Sequence, residues 1–153
     1  GFLLALVFAQ VALGAFVAGT KAGLAYNTWP LMGGAIVPPG LLDETPWWRN
    51  AFENITTIQF NHRMTAYVLV AAATVHAVVA WFKADQADAR ASAIVLAVAI
   101  WMQAAFGVWT LLAAEGSIPI GLGLIHQGGA AVVLAIAVWH WHTVWTAVIR
   151  QPG

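Results

Sequence analysis

Four long apolar segments constrain the fold of this chain more than any other feature of its sequence. They cover about residues 1–20, 55–82, 91–114 and 118–149, and Arg63 is the single charged residue within them. A helix of about 20 mostly apolar residues is long enough to cross a bilayer. With 61% hydrophobic and 8% charged residues, the chain has far less charge than the roughly 25% of a typical soluble domain. The sequence therefore predicts an all-α polytopic membrane protein, a bundle of four transmembrane helices.

The rest of the composition excludes several classes of function. The formal net charge is zero, so no nucleic-acid partner is indicated, and the expected partner is the lipid bilayer. The absence of cysteine excludes disulfides, thiolate metal sites and cysteine nucleophiles. The first apolar segment has neither a basic leader nor a small-residue cleavage site. We therefore expect it to be a helix entered from upstream sequence, and not a signal peptide.

The connections between the helices differ in length and character. Residues 21–54 form a long loop rich in Gly, Pro and Trp, and aromatic side chains of this kind favour the headgroup region of a membrane. Residues 83–90 form a short charged turn, and a tighter turn lies around residues 115–119. Four spans place both termini on one side of the membrane. Three basic residues lie on each side, so the positive charges leave the orientation open.

A short stretch of the first helix has a counterpart in the third. Gln10 is followed four residues later by Gly14, and Gln103 is followed in the same way by Gly107. Each of these helices precedes one that carries a histidine within its first few turns. This weak repeat predicts two pseudo-symmetric helix pairs. The two glutamines are expected to form hydrogen bonds between helices.

Two histidines lie at matching depths in the second and fourth helices, which start on the same side of the membrane. His62 and His126 are each about eight residues inside their helix, which corresponds to about 12 Å. An ionisable side chain inside a span is costly; it either carries function or is satisfied by a nearby carbonyl. Two level imidazoles on two helices suit axial ligation of a haem iron, whereas zinc or copper usually requires further ligands.

A second pair of histidines follows the first at the same interval on both helices. His76 and His140 each come 14 residues after their partner, which places them on the same helix face about 21 Å away. Two explanations remain open: a second haem stacked across the membrane, as in cytochromes b, or side chains that snorkel to an interface. The role of Arg63, beside His62, is also open, because its side chain could bind a haem propionate or reach lipid headgroups.

Three stretches of this sequence resemble the carboxyl-terminal half of the haem A synthase family. They are AGLAYNTWPLM at 22–32, FENITTIQFNHRMTAY at 52–67, and the pair His126-Gln127. The resemblance covers all four helices. It implies half of an eight-helix, pseudo-symmetric oxidoreductase that oxidises a methyl group of haem O to a formyl group, giving haem A for terminal oxidases. Because the chain has no cysteine pair, the resemblance is to proteobacterial or mitochondrial-type members.

The resemblance also implies how the work is divided between the two halves. This half would hold one prosthetic haem b, with His62 and His126 as axial ligands and Arg63 near a propionate. No second haem is expected at His76 and His140. The amino-terminal half, which these residues do not include, would bind haem O and carry the catalytic residues. The 153 residues alone should therefore not oxidise haem O.

The family also implies a location and a set of partners. We expect a multi-pass protein of the bacterial inner membrane, with the loop at 21–54 on the periplasmic side. Expected partners are the amino-terminal half of the same protein, haem O synthase or oxidase assembly factors, and an electron donor. The spacing of the histidines supports an alternative, a cytochrome b-like electron-transfer module with two haems and no chemistry of its own. A structural assembly subunit with incidental histidines is a third hypothesis.

Overall fold

The computed structural model describes residues 1–149. It has four α-helices, α1 (Phe2–Gly19), α2 (Ile55–Lys83), α3 (Ala87–Leu112) and α4 (Ile120–Ile149), and two short 3-10 helices, Ala22–Leu24 and Trp47–Ala51, in the first loop. All four are long and apolar enough to cross a membrane. No β-strand occurs within residues 1–149, where extended pairing is limited to one isolated bridge in the first loop. The predicted all-α membrane bundle is confirmed.

The ends of the helices differ from the expected ones by a few residues, for local reasons. Helix α3 begins at Ala87 and not at residue 91, because the charged stretch before the apolar segment is itself helical. Asp88 lies in its first turn, where a negative charge interacts favourably with the helix dipole. Helix α4 begins at Ile120, directly after Pro119, whose carbonyl oxygen accepts from the backbone nitrogen of Gly123 at 2.9 Å.

The start of α2 is fixed by Asn54, which caps the helix. Its side-chain oxygen accepts a hydrogen bond from the backbone nitrogen of Thr57 at 2.8 Å, which satisfies one of the free amides of the first turn. The side-chain nitrogen of Asn54 donates to the carbonyl oxygen of Gly40 at 2.9 Å. One residue therefore both starts the helix and ties the first loop to it.

The four helices form a ring in which α2 and α4 lie on one diagonal. Helices α1 and α3 each pack against both α2 and α4. The middle of the bundle is a layer of buried apolar side chains contributed by every helix: Val7, Leu69, Ala73, Leu96, Ala97, Ile100, Val133 and Ala137. Small side chains in this layer allow close helix contact, which drives association in lipid where the hydrophobic effect does not.

The first loop, residues 20–54, is held against the bundle by side chains of α2. Arg63 is 7% exposed, and its Nη1 and Nη2 atoms donate to the carbonyl oxygens of Thr28 at 2.8 Å and Tyr26 at 2.7 Å. Gln59 donates to the same Tyr26 oxygen at 2.9 Å. The loop therefore folds over the end of the bundle where α2 begins.

A further contact joins the first loop to the last one. The side-chain nitrogen of Asn27 donates to the carbonyl oxygen of Ala114, just after α3, at 3.3 Å. The two loops on this side of the bundle are thus in direct contact.

Candidate functional site

The first histidine of the predicted pair lies on α2 and is held by α1. The side-chain nitrogen of Gln10 lies 3.1 Å from Nδ1 of His62 and donates to the backbone oxygen of His62 at 3.1 Å. Gly14, one turn further along α1, faces the same imidazole. A Cβ atom at Gly14 would lie 3.1 Å from Cε1 of His62. Helix α1 therefore supplies both a polar contact and the space for the ring.

The second histidine of the pair is held in the same way by α3. The side-chain nitrogen of Gln103 lies 3.0 Å from Nδ1 of His126 and donates to the backbone oxygen of His126 at 2.6 Å. A Cβ atom at Gly107 would lie 2.7 Å from Cε1 of His126, which is closer than side chains tolerate. Gly129 in turn leaves room for the Gln103 amide, which a side chain at that position would meet.

The weak sequence repeat thus corresponds to a repeated structural unit. In each helix pair, a glutamine on the first helix bonds to a histidine on the second, and a glycine four residues later packs against the imidazole. The expectation that the glutamines join helices is confirmed. The sequence left open whether the glutamines would lie near the candidate ligands, and both contact them.

The two units bring His62 and His126 to similar levels on diagonal helices. They lie about 10 Å and about 9 Å from the starts of α2 and α4, at the usual rise per residue. The geometry therefore allows two imidazoles to approach one group from opposite sides.

The polar environment of His62 fits a haem ligand. An imidazole that binds iron through Nε2 carries its proton on Nδ1 and donates it to a neighbouring acceptor. The side-chain oxygen of Gln10 is buried and has no hydrogen-bond partner among residues 1–149. A half-turn of the Gln10 amide would place this oxygen against Nδ1, at the cost of the bond from the Gln10 amide to the backbone oxygen of His62. The chain thus holds an unused acceptor where a ligated histidine needs one.

Arg63 adjoins His62, but two of its three side-chain nitrogens are hydrogen-bonded to the first loop. Two of its nitrogens bind loop carbonyls, while Nε is buried without a partner among the described residues. Arg49, another cation near this end, pairs with Glu53 on the surface, and this hydrogen bond lowers the pKa of the Glu53 carboxyl. Arg63, and not Arg49, therefore has a buried N–H group close to His62 that is not yet hydrogen-bonded among the described residues.

The second pair of histidines meets in the interior, at the other end of the apolar layer. Nε2 of His76 and Nε2 of His140 are 2.8 Å apart, and the two rings are inclined at 74°. His140 is 6% exposed, so it does not snorkel to an interface. Its Nδ1 lies 2.9 Å from Oγ of Ser92 on α3. Ser92 was not predicted from the sequence, although it is one of few polar residues in its apolar segment.

No cluster of three or more histidine, cysteine or acidic side chains that could hold a metal ion occurs within residues 1–149. Each site is built from a histidine pair alone. The fifth histidine, His142, is exposed and belongs to neither pair. Two-histidine sites suit a metal that brings its other ligands with it, as haem iron does.

Comparison with known proteins adds to this geometry. Residues 1–138 match the sequence profile of the COX15-CtaA family, described as cytochrome oxidase assembly protein. The chain is 53% identical over 140 residues to a protein from Parvibaculum lavamentivorans and 50% identical over 141 residues to one from Brucella ovis, both named Heme A synthase. Both alignments cover 92% of this chain but only 39% and 38% of the relatives, so the chain spans less than half their length. No solved structure matches it.

Proposed function

This chain belongs to the haem A synthase family, and from that membership we propose that it is the half of such an enzyme that holds haem b. The whole enzyme would oxidise a methyl group of haem O to a formyl group in the bacterial inner membrane. The observation that carries the proposal is the repeated unit of glutamine, glycine and histidine on each side of the bundle. It prepares His62 and His126, on diagonal helices, to bind one group between them.

The residues of this chain would hold and tune the haem. His62 and His126 would be its two axial ligands, and Gln10 and Gln103 would fix the orientation of the rings through Nδ1. Arg63 Nε would be available to a propionate. When bound, the haem supplies a one-electron carrier whose potential depends on its ligands and their hydrogen bonds.

The rest of the enzyme would supply the oxidation chemistry. The site for haem O and the catalytic residues would lie in the amino-terminal half, so this chain alone should not convert haem O. The first loop would face the periplasm, with its aromatic residues at the headgroups. Haem O synthase, oxidase assembly factors and an electron donor remain the expected partners.

Haem content measured by pyridine haemochrome tests the proposal. The wild type should contain one haem b per chain, and His62→Ala and His126→Ala should lose it or change its spectrum. His142→Ala removes an exposed histidine outside both pairs and should keep the haem. Absence of haem from the wild type would contradict the proposal. Two haems per chain would favour the cytochrome b-like alternative.

A further inference from the structure

A cavity of about 740 Å³ lies between α1, α2 and α4, at the end of the bundle away from the first loop. Aliphatic and aromatic side chains form most of its wall, including Val68, Val75 and Trp141, and the titratable side chains on it are His76 and His140. Val75 is 62% exposed and Val68 is 54% exposed, so the cavity opens on the outer surface of the helices.

The hydrogen bonds of the histidine pair have a consistent direction. Ser92 Oγ donates to the carbonyl oxygen of Ala89 at 3.2 Å, so it can accept from Nδ1 of His140 at 2.9 Å. Nε2 of His140 then accepts from Nε2 of His76 at 2.8 Å. In this arrangement Nδ1 of His76 is an acceptor. The chain of bonds leads from the cavity to the start of α3, beside the charged turn between α2 and α3.

This geometry does not suit a second haem. Two axial bonds of about 2 Å on opposite sides of an iron need about 4 Å between the ligating nitrogens. The Nε2 atoms of His76 and His140 are 2.8 Å apart and already bonded to each other. An iron between them would require the two rings to move apart. A ligand that donates a proton to the pair requires no such movement.

We propose that this cavity binds a lipid-soluble hydroquinone, with a ring hydroxyl donating to His76 and the apolar tail lying along the aliphatic wall. Such a molecule matches the two properties of the site, an apolar volume at the surface of the helices and a partly buried imidazole acceptor. This assignment rests on the proposed function, and it makes a hydroquinone the reductant that supplies electrons to haem b.

The chemistry balances with the groups named. Oxidation of a hydroquinone to a quinone breaks two O–H bonds and releases two protons and two electrons. The two electrons would pass one at a time through haem b, when it is bound, to dioxygen as the final acceptor at the haem O site of the amino-terminal half. His76 takes each proton at Nδ1 as its Nε2 proton moves to His140, and the protons leave towards the start of α3.

Reduction of haem b by decylubiquinol, followed by its absorbance, tests the inference in the membrane protein. His76→Gln removes the proton acceptor, and Ala72→Phe fills the cavity, which Ala72 lines. Val78→Phe is the matched control, because Val78 is an exposed residue of the same helix that does not line the cavity. We expect the rate of haem b reduction to be at least tenfold lower in His76→Gln. In Ala72→Phe, half-saturation should require a tenfold higher concentration of decylubiquinol. The amount of haem that dithionite can reduce should be the same in all three variants as in the wild type.

A second measurement does not depend on the haem. Trp141 lines the cavity, so bound decylubiquinone should quench tryptophan fluorescence in the wild type and in His62→Ala, and much less in Ala72→Phe. Equal quenching in wild type and Ala72→Phe would overturn the inference whether or not haem is bound. Unchanged reduction rates in both cavity variants, or a second haem lost in His76→Gln, would also overturn it. A wild-type protein that lacks haem but still shows fluorescence quenching by decylubiquinone would count against the proposed function alone.

Discussion

Gln103 lies with its side-chain nitrogen 2.6 Å from the backbone oxygen of His126 and 3.0 Å from Nδ1 of the same residue. One amide therefore contacts both the main chain and the ring of the candidate ligand. Gln10 does the same to His62 on the other side of the bundle. Because each glutamine bridges two helices, the orientation of each imidazole depends on how the helices pack.

Replacing either glutamine should weaken haem binding without removing a ligand. In Gln10→Leu and Gln103→Leu the ring loses its partner at Nδ1, and losses of this kind cost about 10- to 100-fold in metal affinity. Gln10→Glu should keep the haem and lower its midpoint potential, because a carboxylate makes the imidazole a stronger donor to iron. Haem content checks the binding in the two leucine variants, and redox titration checks the midpoint potential of Gln10→Glu. Gln86→Leu, on the surface turn, is the control, and an equal change there would contradict the positioning role.

The glycine that faces each imidazole should not tolerate a methyl group. Gly107→Ala places a Cβ 2.7 Å from Cε1 of His126, so the ring must move and haem content should fall severalfold. Gly14→Ala should have a milder effect, since the corresponding distance to His62 is 3.1 Å. Gly128→Ala meets no atom within 4 Å and should gain up to about 1 kcal/mol of helix stability. Haem content at or above the wild-type level in Gly107→Ala would show that the ring does not need this space.

Arg63→Lys should loosen the first loop. A lysine cannot reach the Thr28 and Tyr26 oxygens with two separate nitrogens, and a hydrogen bond from a charged group contributes about 1.5–3 kcal/mol. Tryptic cleavage in the loop, at Lys21 or Arg49, should become about tenfold faster for each 1.4 kcal/mol lost. Tyr67→Phe removes a longer contact to the same loop, 3.4 Å to Pro30, and should change the rate little. Equal rates in Arg63→Lys and wild type would argue against the anchoring role.

The cap of α2 can be separated from its contact with the loop. Asn54→Ala removes both, and loss of an N-cap costs about 0.5–2 kcal/mol. Asn54→Asp keeps the acceptor for the Thr57 amide but cannot donate to the oxygen of Gly40. We expect thermal unfolding midpoints in the order wild type, Asp, Ala, from highest to lowest, as measured in detergent by circular dichroism. If Asp and Ala were equally destabilised, the cap itself would contribute little.

The number of helices and the level of the first histidine pair were predictable because lipid imposes strong local rules. A membrane span must be long and apolar, and the rise of a helix fixes the depth of His62 and His126. The extra helical residues before α3 were missed, because charged residues at the membrane edge can be either turn or helix. Local propensity, and not apolarity, decides between the two.

Contacts between distant residues could not be predicted in the same way. The spacing of 14 residues put His76 and His140 on the expected faces, but it could not show that their rings meet at 2.8 Å. That contact depends on the separation of two diagonal helices. Arg63 was expected at a propionate or at headgroups, and its bonds to the first loop depend on where that loop places its carbonyl oxygens.

The way the first loop is anchored has a consequence for how its sequence can change over evolution. Arg63 and Gln59 bind the main-chain oxygens of Tyr26 and Thr28, which every amino acid possesses, and not their side chains. Substitutions at these two loop positions therefore leave the anchoring groups intact, whereas substitutions at Arg63 and Gln59 do not. The Thr28 hydroxyl also bonds within the loop, to Leu31 and Gly33, so the helix side of this contact depends on side-chain identity directly and the loop side depends on it through the fold of the loop.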